Sequence, residues 1–231
     1  VTPISLAMLA LLGAGDRAMS LSEIHSALSD LAKYVLSRGL PTSEKIRFDS
    51  EEDVRGTLDL LVESAVLERF DEGPEVIYSV APGQHLAAAY YRNTVIHFLT
   101  TGAIGELALL RASEADRGQG EDAFWNEVMR LRDLLKFDFF FSDKEQFRDE
   151  MREEMSLYAN DWESRVNDPD EARELLESIR PFQSHRTLRA FFEAYSLVAD
   201  RLVVSSSDDS NDESDLVREC LTSGKQYLRQ R

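Results

Sequence analysis

A single cysteine, Cys220, stands among 231 residues, which excludes an internal disulfide and any zinc site built on thiolates. Positive charge is scarce too: 26 Lys and Arg face 43 Asp and Glu, for a formal net charge of −17. A field of that sign repels nucleic-acid phosphates and anionic lipid headgroups unless a basic face is gathered locally. The chain has no such run, so no nucleic-acid partner is expected. Long apolar runs are also missing. The most apolar stretch, Thr94 to Leu110, is interrupted by His97 and Glu106 and falls short of the roughly 20 residues a spanning helix needs. There is no Gly-rich phosphate loop and no Ser nucleophile elbow. His85 and His185 have no second ligand at metal spacing, so neither a metal nor a cofactor is expected. The opening Val1-Thr-Pro-Ile-Ser is neither a secretory signal nor an ordinary start, and the chain is expected to be a segment of a longer protein.

What is present is helical periodicity. Hydrophobic residues make up 43% of the chain and charged residues 30%, enough for a core of useful size at this length. Residues 1–14 are apolar almost all round and predict a buried helix. Ser20 with Glu23 three residues on is a capping-box pattern, opening a helix with Leu21, Ile24, Leu28, Leu31 and Val35 at helical spacing before Gly39 and Pro41. A third amphipathic helix is predicted over Glu51 to Leu67. Leu67–Phe70, a turn at Asp71-Glu-Gly-Pro74 and Glu75–Val80 predict a β-hairpin, and a long helix is predicted from Pro82 to about Leu110.

Beyond the polar loop 111–122, Phe124, Val128, Leu131 and Leu135 mark another helix that leads into Phe137, Phe139, Phe140 and Phe141. Ser142 with Glu145 predicts a capped helix carrying Phe147, Met151, Met155 and Tyr158. Asp168-Pro169 predicts the next one, with Asp as N-cap and Pro in the first turn. A later helix uses Leu188, Phe191, Tyr195, Val198 and Leu202. Residues 205–215 (SSSDDSNDESD) are expected to be a solvated, disordered loop. The expected fold is mainly all-α with one small β-hairpin near 67–80. Two parts are expected, 1–110 and 111–231, packed together as one domain.

Two groups of residues could carry chemistry. His25 and Asp30 match the pattern His-x-x-x-x-Asp, but five residues on a helix at about 100° each turn the side chains some 140° apart. A base needs its orienting partner at hydrogen-bond distance, so no catalytic residue is assigned. Tyr90, Asn93 and His97, with Arg92 beside them, form a polar stripe on an otherwise apolar helix. Polar groups on such a face need partners. They either hydrogen-bond within this domain or dock on a neighbouring one, with Arg92 or His97 near a phosphate-bearing substrate. Phe137 to Phe141 is read as core, or else as a loop that touches membrane or acyl chain.

The chain resembles the region that follows the catalytic core in bacterial and mitochondrial glycerol-3-phosphate 1-acyltransferases. The similarity lies in Val1-Thr-Pro-Ile-Ser before an apolar helix, in Ala89-Tyr-Tyr-Arg-Asn-Thr-Val-Ile-His-Phe98, in Leu134-Leu-Lys-Phe-Asp-Phe-Phe140, in Arg180-Pro-Phe and in Glu193-Ala-Tyr195. The resemblance implies acyl transfer from acyl-CoA or acyl-ACP to glycerol 3-phosphate, giving lysophosphatidic acid at the cytoplasmic face of the membrane. The catalytic motifs would then lie in an upstream α/β domain that is this region's partner. A rival reading is a winged-helix DNA-binding or protein-interaction domain, since three helices and a hairpin follow in that order. Its would-be recognition helix is acidic, with Glu51, Glu52, Asp53, Asp59 and Glu63 against Arg55, the wrong sign for a phosphate-lined groove.

Overall fold

The computed structural model describes residues 1–15, 17–43, 46–205 and 213–229. They form two compact units, Val1–Thr187 and Leu188–Arg231.

The larger unit opens with α1, Pro3–Gly13. Thr2 caps it: its hydroxyl accepts from Ser5 N–H while Ser5 Oγ accepts from Thr2 N–H, each at 3.0 Å. Pro3 takes the first turn, where its missing N–H costs nothing. Ser5 through Leu11 are buried without interruption, as expected for a helix that is apolar all round. β1, Met19–Ser20, leads into α2, Leu21–Ser37, which has the expected reciprocal Ser20–Glu23 cap. α3, Glu51–Glu63, has a similar cap between Ser50 and Asp53.

α3 ends four residues before the expected Leu67. Val66 N–H bonds back to Leu61 O, and Ala65 takes φ +55°, a left-handed turn that no helix can continue through. β2, Leu67–Phe70, and β3, Ile77–Val80, form the expected hairpin, with Leu67 opposite Val80 and Phe70 opposite Ile77. β1 adds a third antiparallel strand on the far side of β3, pairing Met19 with Tyr78. Two residues carry too little period-2 pattern to announce such a strand in sequence. α1, α2 and α3 pack on one another, so this part is winged-helix-like in element order.

The long helix expected from Pro82 to Leu110 is broken. α4 spans His85–Asn93, a 3-10 turn covers Ile96–Phe98, and α5 runs Thr100–Ser113. At the break the N–H groups of Thr94 and Val95 reach back only three residues, to the carbonyls of Tyr91 and Arg92, and the Thr94 hydroxyl also donates to Tyr91 O. Thr94, Val95 and Ile96 are successive β-branched residues, which crowd a helical turn. Val95, Ile96 and Leu99 are all buried, and packing them inward redirects the chain.

α5 is the axis of the remaining core. α6 (Gly120–Leu135), α7 (Lys144–Ser156) and α9 (Pro169–Ser178) pack on it, as does α10 (Ser184–Thr187), while α8 (Trp162–Arg165) packs on α9. Close approach depends on two missing side chains. A Cβ at Gly105 would sit 2.8 Å from Met155 Sδ, and one at Gly102 would sit 2.7 Å from Glu154 Oε1. The expected Ser142–Glu145 box is displaced by one residue. Asp143 is the cap and accepts from the N–H groups of Glu145 and Gln146 at 3.0 Å each, because a carboxylate suits the positive end of a helix better than a hydroxyl. Asp168 caps α9, with Pro169 in the first turn as expected.

The smaller unit pairs α11, Arg189–Ser205, with α12, Glu213–Arg229. On the expected stripe of α11, Val198 and Leu202 are exposed. The acidic loop expected over 205–215 lies largely outside the described residues, and its last residues, Glu213 to Asp215, are the first turn of α12. Among the described residues no helix is long and apolar enough to cross a membrane.

Candidate functional site

The polar stripe of the sequence falls on α4 and the turn after it. Leu86, Tyr90 and Asn93, spaced four and three residues apart, share one helix face, and all three are exposed, Leu86 by 84% and Tyr90 by 71%. Ala88 is buried on the opposite side, where α4 meets α1. Arg92 is half-buried at the edge of the outer face, and its Nε and Nη2 donate to Asn93 Oδ1 at 3.1 and 2.9 Å. Burial lowers the pKa of this guanidinium from its ordinary value.

His97 lies past the helix break, exposed, with its ring centroid 3.8 Å from that of Phe98, and burial chiefly lowers its pKa too. The structure therefore joins Arg92 with Asn93. Among the described residues no hydrogen bond connects Tyr90 or His97 to that pair. The face is apolar at one end, aromatic in the middle and polar at the other.

A second polar group lies in the interior, and no local pattern points to it. The carboxylate of Glu154 on α7, fully buried, pairs with Arg38 at 2.9 Å and accepts from the Tyr34 hydroxyl at 3.0 and 3.2 Å. Tyr158 Oη donates to it at 3.5 Å and accepts from Gln183 Nε2 at 3.4 Å. Glu106 on α5 accepts the backbone N–H groups of Gln183 and Ser184 at 2.5 and 2.9 Å. Burial raises the pKa of both carboxylates despite these donors, and raises both phenols as well. The network ties α2, α5 and α7 to the segment 180–187. The Glu106–Gln183 and Tyr34–Glu154 partners are 77 and 120 residues apart in sequence, so only a three-dimensional arrangement reveals them.

Glu106 gives a pH prediction with a definite sign. A carboxyl whose folded pKa lies above its unfolded value binds its proton more tightly when folded. Its contribution to stability is complete below the ordinary value of 4.5 and is lost as pH rises through the elevated native value. Denaturation midpoints measured from pH 5 to pH 8 should therefore fall more steeply in the wild type than in Glu106→Gln. A steeper fall in the variant would contradict this.

The remaining candidates separate cleanly. His25 Nε2 lies 3.1 Å from Phe48 O, which also accepts from Ser29 Oγ, while Asp30 pairs with Lys33 at 3.5 Å. His25 and Ser29 thus tie down the segment before α3. The aromatic cluster is divided. Phe139 is buried, and Phe141 packs edge-on against Phe147 with centroids 5.1 Å apart. Phe137 is 87% exposed and Phe140 fully exposed. The first turn of α3 presents Glu51, Glu52 and Asp53 to solvent, so its outer face repels phosphate.

Fold and site together define a mainly helical domain with a winged-helix-like opening, a charged network used for internal packing and an exposed amphipathic α4 face. The family described as "Glycerol-3-phosphate acyltransferase C-terminal region" matches residues 1–231, and the chain belongs to it. Relatives designated acyltransferase plsB1, from Mycobacterium bovis and Mycobacterium tuberculosis, are 40% identical over 234 residues, across 100% of this chain. The chain spans 37% of the length of these relatives.

Proposed function

We propose that this region is the packing partner of the catalytic portion of a glycerol-3-phosphate 1-acyltransferase. That enzyme moves a fatty acyl group from the thioester of acyl-CoA or acyl-ACP to the 1-hydroxyl of glycerol 3-phosphate. The products are lysophosphatidic acid and the free thiol, formed at the cytoplasmic face of the membrane by a peripherally bound protein. In this reading the region supplies no base or nucleophile and shapes or covers the substrate cleft. One observation carries it: the family spans the whole chain while the chain spans 37% of its relatives. The α4 face, with Leu86, Tyr90, Arg92, Asn93 and His97, is the surface assigned to that docking. It is mixed in polarity and exposed, as non-obligate domain interfaces are.

The test is acyl transfer by the full-length natural protein with and without this region. Deletion should cost roughly a hundredfold or more, the loss expected when reacting groups drift by about an ångström. Tyr90→Glu should reproduce part of that loss in the full-length protein. Glycerol 3-phosphate acylation by residues 1–231 alone, or full activity without them, would refute the proposal.

A further inference from the structure

Between α2 and the segment 180–186 lies a groove of about 480 Å³, within the size range of small-molecule sites. One wall is a stripe of α2, Ser22, Ser26 and Asp30, each four residues after the last and so on one helix face. The other wall brings Arg180, His185 and Arg186 together. In a protein of net charge −17, the two guanidiniums and the imidazole here offset the carboxylates of Glu23 and Asp30 on the same lining, so the concavity is far less acidic than the chain as a whole.

Both guanidiniums donate to backbone carbonyls, and Arg186 is also attracted by the buried Glu106 carboxylate and, less strongly, by Asp30. Arg180 Nη1 donates to Glu177 O and Ile179 O at 2.8 and 2.6 Å, and Arg186 Nη1 donates to Phe182 O at 3.0 Å. Arg180 also stacks over the Phe182 ring, its Cζ 4.8 Å from the centroid, which fixes the plane of its fork. Arg186 Nε is buried and has no hydrogen-bond partner among the described residues. The stem of Arg186 runs against Gly13 of α1, where a Cβ would collide with Arg186 Cγ, so α1 leaves room for this arginine to reach the groove.

The acidic groups on the α2 side are partly neutralised. Glu23 pairs with Arg17 at 2.8 Å, and Asp30 with Lys33 at 3.5 Å, although Asp30 also attracts Arg186. We infer that this groove binds the phosphate group of an organic phosphate ester, with Arg180 and Arg186 on the phosphate oxygens and Ser22 and Ser26 on neighbouring hydroxyl or phosphate oxygens. Planar guanidinium forks match phosphate geometry, and the volume leaves space for the esterified group. Under the acyltransferase reading two sources carry this chemistry: glycerol 3-phosphate and the phosphates of coenzyme A. The site itself does not depend on that reading, but the identity of its ligand does.

Backbone hydrogen exchange of the full-length natural protein, read at residues 19–30 and 180–187, tests the site with inorganic phosphate, glycerol 3-phosphate and coenzyme A as separate probes. Phosphate should protect both segments. Arg180→Gln should weaken that protection at least about tenfold, the usual worth of a charge-assisted contact. Asp30→Asn should strengthen it several-fold by removing a like charge, a gain that misfolding cannot mimic. Of the two esters, the one that acts at lower concentration identifies the source. Absence of protection with all three probes, or equal protection in Arg180→Gln, overturns the inference. Acylation measured on the same preparations keeps the readings separate: activity without protection rejects the groove alone, and protection without activity rejects the acyltransferase reading alone.

Discussion

Replacing Glu154 with alanine is expected to lower the unfolding free energy of the Val1–Thr187 unit by about 3–5 kcal/mol, the usual cost of removing one member of a buried ion pair. The carboxylate is fully buried, and the Arg38 side chain is 23% exposed, so the lower end of that range is the better expectation. The loss would strand the Arg38 guanidinium, whose Nε already lacks a partner among the described residues, and would leave the Tyr34 and Tyr158 hydroxyls facing an empty space. Glu154→Gln keeps an acceptor for Tyr34 and removes the charge opposite Arg38, so it should cost less, about 1–3 kcal/mol. Tyr34→Phe removes one donor from a carboxylate that keeps its cation and should cost about 1 kcal/mol. Urea titration followed by tryptophan fluorescence reads this unit, since the chain's two tryptophans, Trp125 and Trp162, both lie in it. Losses below about 1 kcal/mol for Glu154→Ala would mean that the network is solvated and does not hold the fold.

The structure shows which parts of this arrangement a sequence can carry. Caps and buried stripes are local, and Ser20 with Glu23, Asp168 with Pro169, and the uninterrupted burial of Ser5 through Leu11 follow from spacing alone. The break between Asn93 and Thr100 is illegible in sequence because each half has an acceptable helical pattern by itself. Only the need to bury Val95, Ile96 and Leu99 together turns the chain there. β1 escapes for a related reason, since two residues become a strand only when β3 lies beside them.

The candidate site divides the same way. The α4 face can be picked out from helical spacing, although the break moves His97 off that helix. Glu106, Glu154 and Arg186 have no local signal. Their partners come from other elements, and a single acidic or basic residue on an amphipathic helix looks like solvent-facing charge until its neighbours close over it. Gly102 is a nearby hint, but its meaning depends on Glu154 and Gln183 standing where its side chain would be.

Gly120→Ala is expected to be the most damaging single-methyl change in the chain, at about 3 kcal/mol or more, the upper range for overpacking. Gly120 opens α6, and a Cβ there would collide with the backbone carbonyl of Val166. A flexible side chain could swing aside, but the Val166 backbone is fixed. Its neighbour Asn167 accepts from Gly118 N–H at 2.8 Å through its carbonyl and from Glu121 N–H at 3.1 Å through Oδ1, and Asp168 pairs with Arg117. Retreat of either backbone would break those bonds and disturb the cap of α9. Gly118, two residues earlier, is the control. It has φ +85°, and a Cβ there would meet nothing within 4 Å, so Gly118→Ala should cost only the backbone strain, about 1–2 kcal/mol. Thermal and urea midpoints of the two variants would separate these causes. If Gly118→Ala proves as damaging as Gly120→Ala, left-handed backbone geometry and not close packing governs this corner of the fold.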